Sequence, residues 1–249
     1  MNSLRGQNAI VTGGAVRLGR AMALELARAG VNVCIHYGHS SSEAEATLAE
    51  LKQFRVQALA VQADFTSPVS AAWQVMQHAL QHLGPVDILV NSAAIFEPAT
   101  VLETTEDQWD RHFDINLKAP FFLSQQFAAQ VEQAGASIVN IIDWRGSVPV
   151  PGHPAYTLAK AALAAQVKLL AQEFGPKIRV NGIAPGAILP APGTSPEAFA
   201  QRALFNPLQQ VGGPADIVRT LMFLLQSPFV TGEIVHISGG EQLAAGTRY

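Results

Sequence analysis

Seven short apolar runs, each separated from the next by a stretch of helical periodicity, organise the chain along its length. NAIVTG (8–13), VNVCIHY (31–37), QALAVQAD (57–64), DILVNSA (87–93), SIVNIID (137–143), KIRVNGIAP (177–185) and EIVHIS (233–238) are rich in Val and Ile. They are nearly continuous in hydrophobicity, the pattern of strands buried on both faces rather than half-solvated ones, which would alternate. Helical spacing fills the intervals 18–30, 40–54, 67–84, 105–133, 154–175 and 213–227. Gly30 and Gly84 end helices, and Ser67-Pro68 offers a cap and a first-turn proline.

This order predicts an α/β fold of one domain, 1–249: a Rossmann-type, doubly wound parallel sheet of about seven strands with helices on both faces. No repeat, low-complexity tract or linker divides it. The exception to the alternation is 186–213, rich in Pro and Gly with one short helical piece. A connection that long is usually functional, and its place after a strand's carboxyl end makes it the expected substrate loop. A hydrophobic fraction of 49% is ample for a large core, and a net charge of -3 with scattered Lys and Arg excludes a nucleic-acid partner. The lone Cys34 lies in an apolar stretch and reads as a buried, inert thiol. MNSLRGQNAIVTGG lacks the apolar core of a secretory signal, and no run reaches the ~18 apolar residues of a membrane span. A cytoplasmic protein with no membrane partner is expected.

In such a sheet, ligands sit off the carboxyl ends of the strands, near the first turn. Here that turn is TGGAVRLGR, 12–20. Gly13, Gly14 and Gly19 permit close backbone approach and aim a helix N-terminus at a pyrophosphate. Arg17 puts a long cation in the same turn. After the second strand come His36, Tyr37, Gly38, His39, Ser40 and Ser41, with no carboxylate before Glu43. An acid there would bind a free ribose 2′-hydroxyl and repel a 2′-phosphate. Hydroxyls, amides and imidazole suit the phosphate, so NADP(H) is the expected cofactor.

YTLAK places Tyr156 and Lys160 four apart, on one face of an Ala-rich helix. An ammonium beside a phenol favours the phenolate and brings it toward proton transfer near neutral pH. The fifth strand delivers Asp143 to the same edge, and Asn91 and Asn116 offer polar groups to that edge or to nearby backbone. His78 and His82 share metal-binding spacing but have no apparent third ligand, so no metal is expected. Trp73 and Trp109 read as core or interface, and His153 as a solvated loop residue.

TGGAVRLG, NSAA (91–94), INLKAPFF (115–122), YTLAK, RVNGIAPG and FVTGEIVHISGG match, in order and spacing, the short-chain dehydrogenase/reductases, which nearly the whole chain resembles. Most members carry a serine thirteen residues before the tyrosine, where this chain has Asp143, and glycine where it has Arg17. Those two residues, with Phe96 just past the NSAA segment, resemble the pteridine reductase subgroup, of the dihydromonapterin and dihydrobiopterin reductase type. This resemblance implies that Asp143 and Tyr156 form a proton relay and that Lys160 binds the nicotinamide ribose and tunes Tyr156. Phe96 would stack on a flat pterin, and Arg17 would bridge the pyrophosphate and the pterin's polar edge, so Arg17, Phe96, Asp143 and Tyr156 are the expected substrate contacts.

The expected cofactor contacts are Gly13, Arg17, Leu18, Gly19, His36, Tyr37, His39, Ser40, Asp64, Phe65, Asn91, Ala93, Lys160, Pro185, Gly186 and Ile188. The reaction implied is NADPH-dependent reduction of a dihydropterin, or oxidised pterin, to the tetrahydro level, with dihydrofolate as a further candidate. The alternatives are a carbonyl reductase acting on 3-oxoacyl thioesters or ketones, and an inactive nucleotide-sensing protein. Departures from the family pattern are Ser92 and Ala94 in an NNAG-like segment and SGG at 238–240 in place of DGG. A homotetramer built on the helices around 115–133 and 155–174 is also implied.

Overall fold

A computed structural model describes residues 3–191 and 193–244. β1 (Asn8–Val11), β2 (Asn32–Tyr37), β3 (Ala58–Gln62), β4 (Ile88–Asn91), β5 (Ala136–Ile141), β6 (Ile178–Pro185) and β7 (Ile234–Ile237) form one sheet in the order 3-2-1-4-5-6-7. Every pairing is parallel. The chain winds outward from β1 to β3, then returns beside β1 as β4 and winds the other way. The break at the carboxyl ends of β1 and β4 is the topological switch point, where loops diverge and leave a crevice.

Helices α1 (Arg17–Arg28), α2 (Ser41–Lys52) and α8 (Pro214–Gln226) cover one face. Met22, Leu26, Leu51, Ile217 and Leu221 pack there against Val11, Val33 and Ile35. Helices α3 (Pro68–Leu83), α5 (Ala119–Gln130) and α6 (Pro154–Phe174) cover the other. Met76, Phe127, Leu163 and Val167 pack there against Ile10, Cys34 and Ile138. Successive strand residues thus feed opposite cores, which is why the runs are apolar throughout. Cys34 is fully buried, and burial pushes its thiol up to about 12, consistent with an inert side chain.

Gly30 and Gly84 both take φ values in the left-handed region, +85° and +84°, as helix terminators do. Pro68 opens α3, but the Ser67 side chain makes no capping bond. The interval 105–133 is not one α-helix. Helix α4 (Glu106–Phe113) passes through a π turn (Asp114–Lys118) before α5, because the Ala119 amide reaches back to the Asp114 carbonyl. The 186–213 segment holds α7 (Pro196–Ala200) and a 3-10 turn (Gln201–Phe205), two helical pieces rather than one. A final α9 (Glu241–Ala244) follows β7. Trp73 and Trp109 are 57% and 38% exposed, so neither belongs to the core.

Candidate active site

The first turn is held from below. Thr12 Oγ1 accepts the Ser92 and Ala93 amides at 2.9 and 3.0 Å, tying the turn after β1 to the one after β4. A Cβ on Gly19 would stand 2.1 Å from the Gly13 carbonyl oxygen, so only glycine lets α1 start this close to the turn. His36 is buried beneath it, with Nε2 3.0 Å from the Ala63 carbonyl and Nδ1 3.4 Å from the Gly13 amide. These partners place the proton on Nε2. Burial lowers its pKa to about 4, so the ring is neutral, and it stacks on Phe65 at 4.0 Å.

His36 and Phe65 therefore brace the turn from behind. Tyr37, His39 and Ser40 follow at the end of β2, with His39 exposed. Asp64 is exposed too, and hydrogen bonds from Thr66 hold its carboxyl below the ordinary range.

At the switch point lies a cleft of about 510 Å³, with Gly13, Arg17, Leu18, Gly19 and Ala93 on one side. Pro185, Gly186 and Ile188 close another side, and Asp143, Tyr156, Lys160 and Phe96 line the rest. Tyr156 is 7% exposed, and its hydroxyl donates to Asp143 Oδ2 at 3.0 Å. Asp143 Oδ1 accepts the Arg145 amide at 2.8 Å, so both carboxylate oxygens are engaged. Lys160 is buried, donates to the Ile141 carbonyl at 2.7 Å, and lies 5.8 Å from the Tyr156 ring centre.

This geometry corrects the expected effect of Lys160 on Tyr156. Burial, then the Asp143 charge and hydrogen bond, push the phenol well above its ordinary value. Burial also lowers Lys160 to about 8, against the pull of Asp143. The loss of water and the carboxylate at 3.0 Å govern the phenol.

Arg17 takes a left-handed φ of +52° and donates to the Pro190 carbonyl at 2.9 Å and the Leu189 carbonyl at 3.5 Å, linking the turn to the 186–213 segment. A non-glycine residue in that conformation stores roughly 1–3 kcal/mol of strain, a feature that clusters at functional sites. Phe96 is 44% exposed, and His153 stacks on it at 3.9 Å rather than standing in solvent. Asn116 holds both backbone groups of Ile95 at 2.9 and 3.0 Å, and Arg111 clasps Glu97 through two bonds, fixing Phe96 from either side.

Asn91 is buried and bonds Asn140 and Ser124, joining β4 to β5 and α5 rather than lining the cleft. Ser92, Ala94, Phe199 and Arg202 line it without having been expected there. Ser92 and Ala94 lay inside a noted motif; Phe199 and Arg202 lay inside the expected 186–213 substrate loop, without being singled out in it. Among the described residues no cluster could hold a metal ion, and the His78 and His82 rings lie 4.4 Å apart, tilted against each other. Among those residues no helix is long and apolar enough to cross a membrane.

A parallel doubly wound sheet with a glycine-rich first turn and a buried Tyr–Lys pair at the switch point defines a dinucleotide-linked oxidoreductase of the Rossmann class. Residues 7–198 match the family described as short chain dehydrogenase, and the chain belongs to that family.

Among curated relatives, the 3-oxoacyl-[acyl-carrier-protein] reductase FabG of Staphylococcus epidermidis is 32% identical over 94% of this chain and 98% of its own length. The short chain dehydrogenase mdpC of Emericella nidulans is 31% identical over 95% and 96%. Among solved structures, FolM alternative dihydrofolate reductase 1 from Brucella canis, complexed with NADP, superposes with a TM-score of 0.91 at 34% identity, covering 97% of this chain and 96% of that one.

Proposed function

We propose that the chain is an NADPH-dependent pteridine reductase, taking a dihydropterin, and in some measure an oxidised pterin or dihydrofolate, to the tetrahydro level. The observation that carries this reading is the Tyr156–Asp143 bond at 3.0 Å inside the cleft. A ketone reductase needs a neutral hydroxyl to hold a developing alkoxide. A carboxylate beside the phenol instead suits a substrate that presents N–H donors and takes up a proton at nitrogen. The Brucella protein named as an alternative dihydrofolate reductase supports the same choice.

The turn fits a dinucleotide: Gly13, Leu18, Gly19 and Ala93 border the cleft, and α1 points its N-terminus there. Gly38 has open space where a side chain would stand, and the end of β2 offers hydroxyl, amide and imidazole groups to a 2′-phosphate. NADP in the Brucella complex is in keeping with this. When bound, the reduced nicotinamide supplies hydride.

Lys160 would bind the nicotinamide ribose. Tyr156 would deliver its phenolic proton to the substrate nitrogen as hydride reaches the neighbouring carbon. Asp143 would accept a hydrogen bond from the ring's N–H edge, and the phenolate left behind would be reprotonated by a proton drawn from solvent and passed on by Asp143. Phe96 offers a ring face to a planar heterocycle, Arg17 offers donors to its polar edge, and the 186–213 segment walls the substrate side. Exposed Phe121, Leu158 and Leu169 on α5 and α6 support self-association as a homotetramer.

A second reading, a 3-oxoacyl thioester reductase, is favoured by the curated FabG relatives. The two are separated by following NADPH oxidation with dihydrobiopterin, dihydromonapterin, dihydrofolate and an acetoacetyl thioester in parallel. Turnover of a pterin is expected; turnover of the thioester alone would overturn the proposal.

A further inference from the structure

Arg145 lies where the resemblance assigns nothing. It follows β5 by four residues, lines the cleft, and its side chain is only 16% exposed. Nη1 lies 3.5 Å from Asp143 Oδ1. The guanidinium sits 5.5 Å from the Phe96 ring centre and 4.9 Å from that of the buried Trp144. Nε is buried and makes no hydrogen bond. A cation flanked by aromatic rings, with one donor unused, forgoes hydration that an exposed arginine would keep. A surface ion pair would not be built this way.

We propose that Arg145 is a positioning residue for proton transfer, a second cation that fixes the Asp143 carboxylate against Tyr156 and offsets the negative charge the pair acquires as the phenolic proton leaves. The inference rests on the role given above to Asp143 and Tyr156, not on which substrate they serve.

The physical need is plain. A carboxylate accepting the phenol at 3.0 Å makes the phenolate hard to form, since two negative groups would then share a buried space. Of the other cations lining the cleft, Lys160 bonds the Ile141 carbonyl and stands 5.8 Å from the phenol ring centre, Arg17 donates to the Pro190 carbonyl, and Arg202 pairs with Glu241. Arg145 approaches the carboxylate instead, on its Oδ1 side, and among the charges acting on Tyr156 it is the one that lowers the pKa. The remaining titratable groups nearby are His112, whose ring centre is 6.5 Å from that of Tyr156, and His153, stacked on Phe96. The buried Glu241, held by Arg202, feels both Arg145 and Asp143. The His153 pKa is lowered to about 4, by burial and then by Arg145 itself, so this ring brings no competing charge at neutral pH.

The test compares Arg145→Met and Arg145→Lys with the unaltered enzyme, using whichever substrate the unaltered enzyme turns over. Arg145→Met is expected to lower kcat by about tenfold or more while KM and the NADPH dissociation constant stay within about threefold. Its alkaline limb moves to higher pH, because a phenol deprived of the cation ionises later. Arg145→Lys restores the position of that limb and part of kcat.

A readout independent of turnover is the Cζ resonance of Tyr156 in protein labelled at its three tyrosines, assigned with Tyr156→Phe. Arg145→Met is expected to move it in the direction opposite to the shift caused by Asp143→Asn, since one variant removes the cation and the other the anion acting on the phenol. An unmoved resonance, or a lowered melting temperature with kcat and pH profile unchanged, would overturn the proposal. Absence of pterin turnover in the unaltered enzyme, with the resonance still shifted by Arg145→Met, would count against the substrate reading and leave this one standing.

Discussion

Tyr156 and Asp143 lie thirteen residues apart in the chain, one on α6 and one just past β5, and meet through a hydrogen bond of 3.0 Å. The phenol is held protonated by burial and by that carboxylate. It therefore stands protonated in the cleft.

Replacing Asp143 tests the pair directly. Asp143→Asn keeps the shape but removes the charge, and a loss of about 10²–10⁴ in kcat for pterin reduction is expected from removing a general acid–base partner. NADPH binding, followed by fluorescence titration, should barely change. Equal losses in both would make Asp143 a structural residue.

Phe96→Ala should raise the KM for pterin by about tenfold, since ring stacking contributes ~0.5–1.5 kcal/mol beyond buried area. The affinity for NADPH should be retained. Steady-state kinetics decide this, and an unchanged pterin KM would remove the stacking role.

Arg17→Gly should separate binding from folding. Glycine adopts the +52° φ without strain, so the melting free energy should fall by no more than about 1 kcal/mol even though the bonds to Leu189 and Pro190 are lost. The dissociation constant for NADPH should rise by about tenfold, as expected on losing a charge-assisted contact. Calorimetry gives both quantities, and a large drop in stability with unchanged affinity would assign Arg17 to the 186–213 segment alone.

His36 should impose an acid limit on stability. Its native pKa, about 4, lies below the ordinary 6.5 because the ring is buried. Between those values the unfolded chain binds a proton that the native one does not, so stability falls as pH drops from 6.5 to about 4. The loss amounts to at most about 3 kcal/mol, and below the native pKa this group adds no further slope. His36→Gln should flatten the melting temperature across that window relative to the unaltered protein. Parallel profiles would show that other groups govern the acid limb.

The alternation of Val- and Ile-rich runs with helical spacing determined the parallel sheet by itself, because a strand covered on both faces must be apolar at every position. The glycines at 13, 14 and 19 likewise announced the turn, since contact distances there exclude any Cβ. The same local reasoning placed Tyr156 and Lys160 on one helical face.

Only the tertiary structure decided what surrounds them. Whether the phenol answers to Lys160 or to Asp143 depends on distances between α6 and the end of β5, which no spacing along the chain encodes. Burial turned His36 into a neutral brace under the turn, stacked His153 on Phe96, and set Arg145 against Asp143. Hydrophobic periodicity is a property of neighbours in sequence. Solvation and charge are properties of neighbours in space, so the frame was legible before folding and the electrostatics of the cleft only after it.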